Sequence, residues 1–462
     1  MSASICAGMA ATSIGFGGID GAWWLPAVEP FALPVSTAQE LATIGPALFY
    51  FLDLVTSLYG TAAGAAAGVN HLLDTKVPVH IPRLMSAGRV ESLRPDFQLV
   101  AELDAAGALH YRLAATELEI CPSAHGFAHA MQVGYGLEPD LVRAFADYLN
   151  GRTLLFVGTH QWSEFLLEQL AFCRALAAVG AQGRVLYDRP VQQLAAEIVA
   201  GQRWQPPMFG VKQKTVGWQE SLTDRPTWRD LVPFVYTPDD AWPTSIGDAV
   251  VFRFGYFDCF APVHLAHFPR WQAQGATLLN PAHFILDSKV VMAALQLPIV
   301  RQRIATENPT ALPILDRCLP ETILLTPETA PAILADKAEW VVKFAGYDSG
   351  QQAWGGRSLQ VGAHHTTASW QTTIQAYLQL PWPVVAQRLM PSVQVDMAYL
   401  DSQDQVQPLE RGHTRLRVFL LRNGGGAIAA GAHLTVSGGA LQVSEATDAV
   451  QAPVVFIATA NQ

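Results

Sequence analysis

A series of strand-like and helix-like segments that begins at Arg152 constrains the fold more than any other feature of this sequence. Four short apolar runs of strand length accompany one segment, residues 165–178, in which apolar side chains recur at helical spacing. The strand-like runs are residues 153–157, 184–187, 249–254 and 277–279. Strands and helices that follow one another with short connections predict a parallel sheet covered by helices. The chain is therefore expected to be an α/β protein.

Antiparallel elements are predicted on both sides of this region. Residues 97–103 and 108–120 are strand-like, and the turn between them, residues 104–107, has the composition of a hairpin turn. A helix is expected near residues 141–149. Residues 415–457 alternate apolar and polar side chains between glycine turns, which predicts antiparallel strands.

A third region starts near Asp287, where Asp287 and Ser288 form a cap pattern before a predicted helix over residues 289–295. Three strand-like runs and a glycine-rich loop over residues 346–356 follow. The runs are residues 319–325, 340–344 and 384–387. Residues 200–241 are rich in Pro, Trp and Gln, which predicts an inserted loop.

The composition indicates a globular protein of two or three packed lobes. At 462 residues the chain exceeds one ordinary core, and 50% hydrophobic against 15% charged residues speaks against disorder. The formal net charge is -10, so no basic excess is present to neutralise the phosphates of a nucleic acid. Small molecules are the expected partners.

The sequence predicts a cytoplasmic protein that does not enter a membrane. Its five cysteines are scattered and include no C-x-x-C pair, so neither a disulfide framework nor a zinc site is indicated. The first basic residue is Lys76, and the charged start of a secretory signal is therefore missing. Residues 44–69 are apolar but contain Asp53 and many Gly and Ala, which favours a buried helix over a membrane span.

Lys343 ends a strand-like run and is followed directly by the glycine-rich loop. A lysine in this position can pair with phosphate while backbone N–H groups of the loop close over the anion. Neither a Walker loop nor a G-x-G-x-x-G fingerprint is present. The alternative for this stretch is a solvated hairpin.

Arg94, Asp96 and Glu119 are expected to meet on the predicted hairpin. Asp96 lies at the start of one strand and Glu119 near the end of its partner, which offers two hard oxygen ligands for magnesium. Arg94 is two residues from Asp96 and shares its face of the strand. The alternative is an ion pair at the protein surface.

Four further residues are suited to binding anions or substrate. Arg415 and Arg417 project to one face of a predicted strand, which suits a triphosphate, although arginines on a solvent face are the alternative. His160 and Arg253 follow predicted parallel strands, where ligands bind in α/β folds, so both are predicted to contact substrate. His125 and the histidine one helical turn later lack a nearby third ligand and are predicted to be structural.

Taken in order, these pieces resemble the ATP-grasp superfamily, and specifically its circularly permuted members such as eukaryotic glutathione synthetase and bacterial glutathionylspermidine synthetase. The R-P-D sequence at residues 94–96 is similar to the first metal-binding element of that family, and E-I-C at residues 119–121 lies where the second is expected. The asparagine ligand of the family is Cys121 here, a poor ligand for a hard cation. Ser123 or Glu117 are the candidates to replace it.

The resemblance also assigns a nucleotide site. Lys289 and Lys343 resemble the two nucleotide-binding lysines, residues 385–389 resemble the hinge strand that meets adenine, and Arg417 resembles the arginine that binds phosphate. The other positions that the resemblance places against the nucleotide are Gly350, Gly355, Gly356, Gln387, Leu389 and Arg415.

Four parts of the chain follow from the resemblance. Residues 1–150 would be the permuted part of the ATP-grasp core that carries the metal ligands, and residues 151–285 a Rossmann-like substrate domain. Residues 286–390 would form the nucleotide-binding subdomain with its lid, and residues 391–462 the strands that complete the core.

The activity implied by the resemblance is ligation of a carboxylate to an amine with ATP and Mg²⁺, through an acyl phosphate. Magnesium would be held by Asp96, Glu119 and Ser123, and Arg94 would stabilise the oxyanion of the tetrahedral intermediate. Amino acids, peptides or polyamines are the expected substrates. Three alternatives stay open: a catalytically degenerate nucleotide-binding protein, a phosphotransferase, and an unrelated α/β protein.

Overall fold

Three sheets and the helices packed on them make up the described part of the chain. The computed structural model describes residues 25–103, 109–191, 231–236, 241–347, 358–401, 405–438 and 449–457, with the single positions 5, 8, 9, 11, 12, 193 and 194. The strands are β1 (Leu25–Pro26), β2 (Phe31–Pro34), β3 (Ser92–Leu103), β4 (Leu109–Glu119), β5 (Thr153–Gly158), β6 (Gln182–Tyr187), β7 (Val250–Arg253), β8 (Thr277–Leu278), β9 (Thr322–Leu324), β10 (Trp340–Phe344), β11 (Gln360–Val361), β12 (Val384–Arg388), β13 (Gln394–Leu400), β14 (Val406–Asn423), β15 (Gly426–Ser437) and β16 (Val450–Ile457).

The helices are of two kinds, α-helices and short 3₁₀ turns that join them to strands. The α-helices are α1 (Val35–Leu58), α2 (Ala62–Ala66), α3 (Val69–Asp74), α4 (His125–Gly134), α5 (Asp140–Leu149), α6 (Leu166–Ala178), α7 (Pro262–Leu265), α8 (His267–Ala273), α9 (Val290–Ala293), α10 (Pro298–Glu307), α11 (Ala311–Cys318), α12 (Ala330–Ala335) and α13 (Thr367–Leu378). The 3₁₀ turns are His160–Phe165, Val232–Phe234, Phe257–Cys259, Phe284–Asp287, Ala294–Gln296, Lys337–Glu339 and Gly362–His364.

Strands from both ends of the chain meet in the largest sheet. Its order is β1-β16-β15-β14-β3-β4, and in addition β13 pairs with β14 and β2 with β16. The predicted hairpin is confirmed as β3 and β4, and the predicted antiparallel strands of the tail are confirmed as β14, β15 and β16. A register shift beside Asp96 leaves Thr116 as an extra, bulged residue of β4. Residues near 94–96 and 415–417 therefore lie on adjacent strands.

Helix α1 packs on this sheet as a core helix. By length and composition it could cross a membrane, yet 61% of its apolar window is buried inside the protein. Asp53, in the middle of the apolar segment, is bound by the guanidinium of Arg422 at 2.7 Å and by the backbone N–H of Val90 at 3.2 Å. The predicted buried helix is confirmed up to Leu58, and α2 and α3 follow it.

The predicted parallel sheet is confirmed, with the order β6-β5-β7-β8. Strands β5, β6 and β7 end at the same edge, and α5 and α6 pack beside them in a second hydrophobic cluster. The last residue of β5 is Gly158, and the ring of Tyr187 on β6 lies against its backbone. A larger residue would not fit, because a Cβ atom there would lie 2.4 Å from that ring. Side chains that follow these strands are therefore brought together.

The third sheet is antiparallel, with the order β11-β10-β12-β9. Its strands confirm the three runs predicted in this region. Of the predicted glycine-rich loop, only Gly346 and Tyr347 belong to the described residues, and Gly350, Gly355 and Gly356 lie outside them. Most of the predicted insertion over residues 200–241 also lies outside the described residues.

The helix predicted over residues 289–295 is wrong in extent. Helix α9 covers only Val290–Ala293 and is flanked on both sides by 3₁₀ turns. The Asp287 carboxylate does not cap this helix, because the guanidinium of Arg253 binds it through two contacts of 2.6 and 3.0 Å. Only the hydroxyl of Ser288 accepts a helical N–H, from Val290 at 3.3 Å.

Candidate active site

Six charged side chains share one face of the large sheet where β4, β3 and β14 lie side by side. Arg94 lies opposite Glu119, and Asp96 lies opposite Glu117 on one side and Arg417 on the other. Residues two apart on a strand point to the same face, so these pairs stack along one face of the sheet. All are buried, at most 7% exposed: Arg94, Asp96, Glu117, Glu119, Arg415 and Arg417. The surface alternatives for these residues therefore do not hold.

Two lysines reach the same face from outside the large sheet. The Lys343 ammonium, on β10, donates to the carbonyl of the bulged Thr116 at 2.7 Å and to Oε1 of Gln387 on β12 at 3.1 Å. The ammonium of Lys289 lies 2.5 Å from a carboxylate oxygen of Glu117. Side chains of the large sheet and of the small antiparallel sheet thus meet, with Lys289, in one charged region, which we call the cleft. We call its eight buried ionisable residues the charged cluster: Arg94, Asp96, Glu117, Glu119, Lys289, Lys343, Arg415 and Arg417.

Asp96 is held between arginines. Its Oδ1 accepts from Nε of Arg94 at 3.1 Å, and its Oδ2 accepts from Nε of Arg417 at 3.2 Å. A guanidinium nitrogen of Arg415 lies 3.8 Å from the same Oδ2. Arg417 also donates to the hydroxyl of Thr435 on the neighbouring strand. The carboxylate therefore fixes the directions of three buried guanidinium groups.

The two glutamates of the cluster have opposite pKa shifts. Burial disfavours the charged form of Glu117, but the charges of Lys289, Lys343 and Arg415 outweigh it and lower its pKa to about 2. Burial and then the charge of Glu117 raise the pKa of Glu119 to about 8. A second anionic carboxylate beside Glu117 is thus unfavourable unless a cation lies between them.

The charged cluster contains more positive than negative groups. Five of its members are cations and three are carboxylates, and Glu119 is the carboxylate that burial and Glu117 disfavour as an anion. Burial lowers the pKa of Lys343 to about 8, and burial with the neighbouring arginines lowers that of Arg417 to about 10. Burial is the first cause of both shifts, and the nearby carboxylates do not fully offset it. A desolvated excess of this kind favours a polyanionic ligand.

Arg94 is positioned by the turn that follows β4. Its Nη1 donates to the carbonyl of Ser123 at 2.8 Å. The next residue, Ala124, has a left-handed backbone with φ 76°, and its N–H donates to the carboxylate of Glu168 at 2.6 Å. Glu168, on α6, also accepts from the N–H of Phe127 at 3.4 Å and so caps α4.

The metal ligands predicted from the sequence are only partly grouped. Among the described residues, no three His, Cys, Asp or Glu side chains are arranged as a ready metal site. Cys121 is fully buried in the second hydrophobic cluster, and burial raises the pKa of its thiol, as expected for a core residue. Asp96 is engaged by arginines, whereas the carboxylate of Glu119 accepts one long hydrogen bond, from the Tyr256 hydroxyl at 3.4 Å. Neighbouring oxygen donors from Glu117 and Glu119 have the chemistry that a hard divalent cation requires.

Leu389, which the resemblance assigns to the hinge, directly follows β12 and is half-buried. Its backbone N–H donates to the carbonyl of Glu339 at 2.8 Å. Gln387, two residues earlier, points into the cleft, where it binds Lys343 and donates to the hydroxyl of Thr322 at 2.9 Å. The predicted hinge strand therefore borders the charged cluster, and its contact with adenine stays a prediction.

The two predicted substrate residues lie at the carboxyl edge of the parallel sheet. Arg253 is fully buried and bound to Asp287, so its role with a substrate carboxylate stays a prediction and its visible role is structural. His160 is partly exposed, and its ring is bound to Asp188 at 2.8 Å. The two predicted structural histidines are buried, and His125 packs against five phenylalanine rings, which confirms its structural role.

Glu117 was predicted from the sequence only as a candidate to replace the asparagine ligand, and its position two residues before Glu119 on an alternating strand places it on the same face. Other residues of the site were not found in the sequence. Tyr256, Asp188 and Glu168 contact the site only through tertiary packing, and no spacing in the sequence points to them. Thr116 contributes through its carbonyl, which any residue carries.

Comparisons with known proteins concern the fold. No protein-family model matches the sequence, and no curated protein matches it significantly. The structure is similar to that of a glutathione synthetase-like effector (GSS30) from Globodera pallida in its apo form. The likeness has a TM-score of 0.53 at 12% sequence identity and covers 99% of this chain and 96% of that one.

A weaker match is a protein from Methylobacillus flagellatus assigned as a gamma-glutamylcysteine synthetase, with a TM-score of 0.39 and 11% identity over 90% of this chain and 87% of that one. Both neighbours carry names of the ligase type. At these identities the first likeness describes the fold, and the second is too weak to support an argument.

The shift of Glu119 predicts a pH dependence of stability. Because its pKa is raised from 4.5 to about 8 in the folded protein, the folded state binds a proton that the unfolded state has lost. The free energy of unfolding should therefore fall as the pH rises from about 4.5 to about 8. In Glu119→Gln this fall should be smaller by about 1 kcal/mol or more, since one pKa unit corresponds to about 1.4 kcal/mol.

Urea unfolding of both proteins at pH 5 and pH 8 measures this difference. The exposed Glu339→Gln is the matched control and should follow the wild type. Equal pH dependence in wild type and Glu119→Gln would show that Glu119 is not the proton acceptor.

Proposed function

We propose that this chain is an ATP-dependent ligase that joins a carboxylate to an amine through an acyl phosphate. The observation that carries the proposal is the charged cluster, in which five buried cations surround three carboxylates where the large sheet meets Lys343 of the small sheet and Lys289. A buried cation excess needs an anion to complete it, and a polyphosphate with its metal ion supplies such charge. The likeness in fold to a glutathione synthetase-like effector supports the choice of a ligase.

The architecture that we propose is a circularly permuted ATP-grasp core. Its support is the large sheet, which joins β3 and β4 from residues 1–150 to β13 through β16 from residues 391–462. Residues 286–390 contain the small antiparallel sheet with Lys343, and residues 151–285 contain the parallel sheet. In this proposal the nucleotide lies between the large and the small sheet, and the parallel sheet carries the substrate site.

Lys289, Lys343, Arg415 and Arg417 bind the polyphosphate in this proposal. Their charges are held in place by Glu117, Gln387 and Asp96 before ATP arrives, so little reorganisation is needed when phosphate replaces these partners. The segment after Gln387, with Leu389, borders the adenine. The lid that contains Gly350, Gly355 and Gly356 would exclude water from the acyl phosphate.

A magnesium ion fits beside Glu117 and Glu119. The two side chains offer oxygen donors, and a divalent cation between them would relieve the repulsion that raises the pKa of Glu119. Asp96 would be a further ligand once its arginines bind phosphate, and Ser123, in the turn that follows β4, is the remaining candidate. Magnesium, when bound, would offset the charge of the phosphate groups.

The proposed reaction has two steps, and residues of the charged cluster act in each. The substrate carboxylate attacks the terminal phosphorus of ATP, ADP leaves, and Lys343 and Arg417 stabilise the charge that spreads over the transferred group. The amine nitrogen then attacks the acyl carbon and phosphate leaves. Arg94 lies opposite Glu119 at the edge of the cluster, where its fixed guanidinium can stabilise the oxyanion.

A second function, a nucleotide-binding protein without ligase activity, is favoured by one observation. Both carboxylate oxygens of Asp96 are bound by guanidinium groups, and the position of the expected asparagine ligand is the buried Cys121. Such a protein would bind ATP and transfer nothing.

Trapping of the acyl phosphate separates these functions. Purified protein is incubated with Mg-ATP, hydroxylamine and one of glutamate, gamma-glutamylcysteine or glutathione, and ADP and hydroxamate are measured. Carboxylate-dependent formation of both supports the ligase. ATP binding without either product indicates the binding protein, and no binding of ATP overturns both proposals.

Lys343→Met tests the phosphate site. Loss of this buried ammonium should weaken Mg-ATP binding about 30-fold or more, because truncating one partner of a buried hydrogen-bonded charge pair costs about 2–5 kcal/mol. Isothermal titration calorimetry measures the affinity, and thermal unfolding checks that the variant folds. Lys76→Met is the matched control, since Lys76 also donates to backbone carbonyls, those of Leu378 and Leu380, outside the cleft. Equal affinity of Lys343→Met and wild type would contradict the proposed site.

A further inference from the structure

His160 and Asp188 form a hydrogen-bonded pair at the carboxyl edge of the parallel sheet. His160 follows β5 and Asp188 follows β6, and these strands are neighbours. Nδ1 of His160 lies 2.8 Å from Oδ2 of Asp188, and the backbone N–H of His160 donates to Oδ1 at 2.6 Å. One carboxylate therefore binds both the ring and the backbone of the same residue, which fixes the orientation of the imidazole.

The pair leaves the other ring nitrogen as a proton acceptor. When Nδ1 carries the proton and donates it to a carboxylate, Nε2 has a free lone pair. Asp188 is buried with its side chain 6% exposed, whereas that of His160 is 25% exposed. In the described part of the chain no group forms a hydrogen bond to Nε2. Nε2 of His125 also has no hydrogen-bond partner in the described part of the chain, but that histidine is buried and enclosed by phenylalanine rings, whereas His160 can be reached by a substrate.

A short chain of contacts joins this pair to the charged cluster. The Thr159 hydroxyl lies 3.0 Å from Oδ2 of Asp188 and 3.0 Å from the carbonyl of Cys259. Cys259 belongs to the loop after β7, whose Tyr256 hydroxyl donates to Glu119 at 3.4 Å. Gly255, in the same loop, lies so close to Thr159 that a Cβ atom at this position would be 3.0 Å from the Thr159 methyl group. The pair and the charged cluster are therefore on two sides of one closely packed loop.

We propose that His160, oriented by Asp188, accepts the proton of the amine substrate; this inference rests on the proposed ligase function. An amine attacks only with its lone pair free, and an ammonium group must first lose a proton. The ammonium group first gives one proton to Nε2 of His160. The nitrogen then forms a bond to the acyl carbon, the carbon–oxygen bond to phosphate breaks, and its electron pair leaves with the phosphate, which takes the second proton from nitrogen. His160 contacts the amine, and Asp188 is a positioning residue.

His160→Asn separates the proton acceptor from a structural role. The Asn amide can still donate to Asp188 from nearly the position of Nδ1, but it has no basic nitrogen. Amide formation should slow by about 100-fold or more, the range of general base catalysis. Hydroxylamine is already uncharged at neutral pH, so hydroxamate formation should stay within about twofold of the wild type because it needs no proton acceptor.

The measurement uses Mg-ATP, the carboxylate that yields most hydroxamate in the wild-type assay, and either hydroxylamine or an amine chosen from glycine, cysteine and spermidine. Asp188→Asn should show the same selective loss, because it favours the wrong tautomer of His160. His71→Asn, an exposed histidine on α3, is the control and should change neither rate. Thermal unfolding confirms that each variant folds.

The outcomes distinguish the two levels of the proposal. Selective loss of amide formation in His160→Asn supports the proton acceptor. Unchanged rates with both nucleophiles, or equal loss of both, overturn it and leave the ligase in place. Absence of hydroxamate from the wild type overturns the ligase itself.

Discussion

The carboxylate of Asp96, bound between the guanidinium groups of Arg94 and Arg417, is the interaction on which the rest of the site depends. It lies where three strands of the large sheet meet, and without it buried arginines would face one another with no counter-charge between them. Its single charge does not balance them. Together with Glu117 and Glu119 it faces five cations, so the folded protein retains a desolvated positive excess. This imbalance is the reason why we propose that the protein binds a polyphosphate.

The strand patterns in the sequence were sufficient to predict most of the fold and part of the site. Alternation along a strand placed Arg94 on the same face as Asp96, and Arg415 on the same face as Arg417. In the structure the two pairs lie on the neighbouring strands β3 and β14, which the sequence did not predict. Period-two patterns depend only on local geometry, which is why they were reliable. The burial of these charged residues could not be predicted in this way. An alternating pattern shows which side chains share a face of a strand, but not whether another part of the chain covers that face.

Tertiary contacts account for what could not be predicted. Asp287 has the local appearance of a helix cap, yet it binds Arg253, which precedes it by 34 residues in the chain. Asp188 and Tyr256 have no motif, and their roles come from loops that meet at the edge of the parallel sheet. These contacts link the parallel sheet to the charged cluster. In the proposed reaction, the acyl phosphate would form at the charged cluster and react with an amine held at the edge of the parallel sheet.

A crystal structure of the protein with Mg²⁺ and a non-hydrolysable ATP analogue, AMP-PNP, tests the central claim most directly. The account predicts the polyphosphate between the large and the small sheet, in contact with Lys289, Lys343 and Arg417, with a metal ion on Glu119. It also predicts that Asp96 then shares its guanidinium partners with phosphate. A nucleotide bound at any other place, or a cleft in which these side chains keep their present contacts at saturating AMP-PNP, would contradict it.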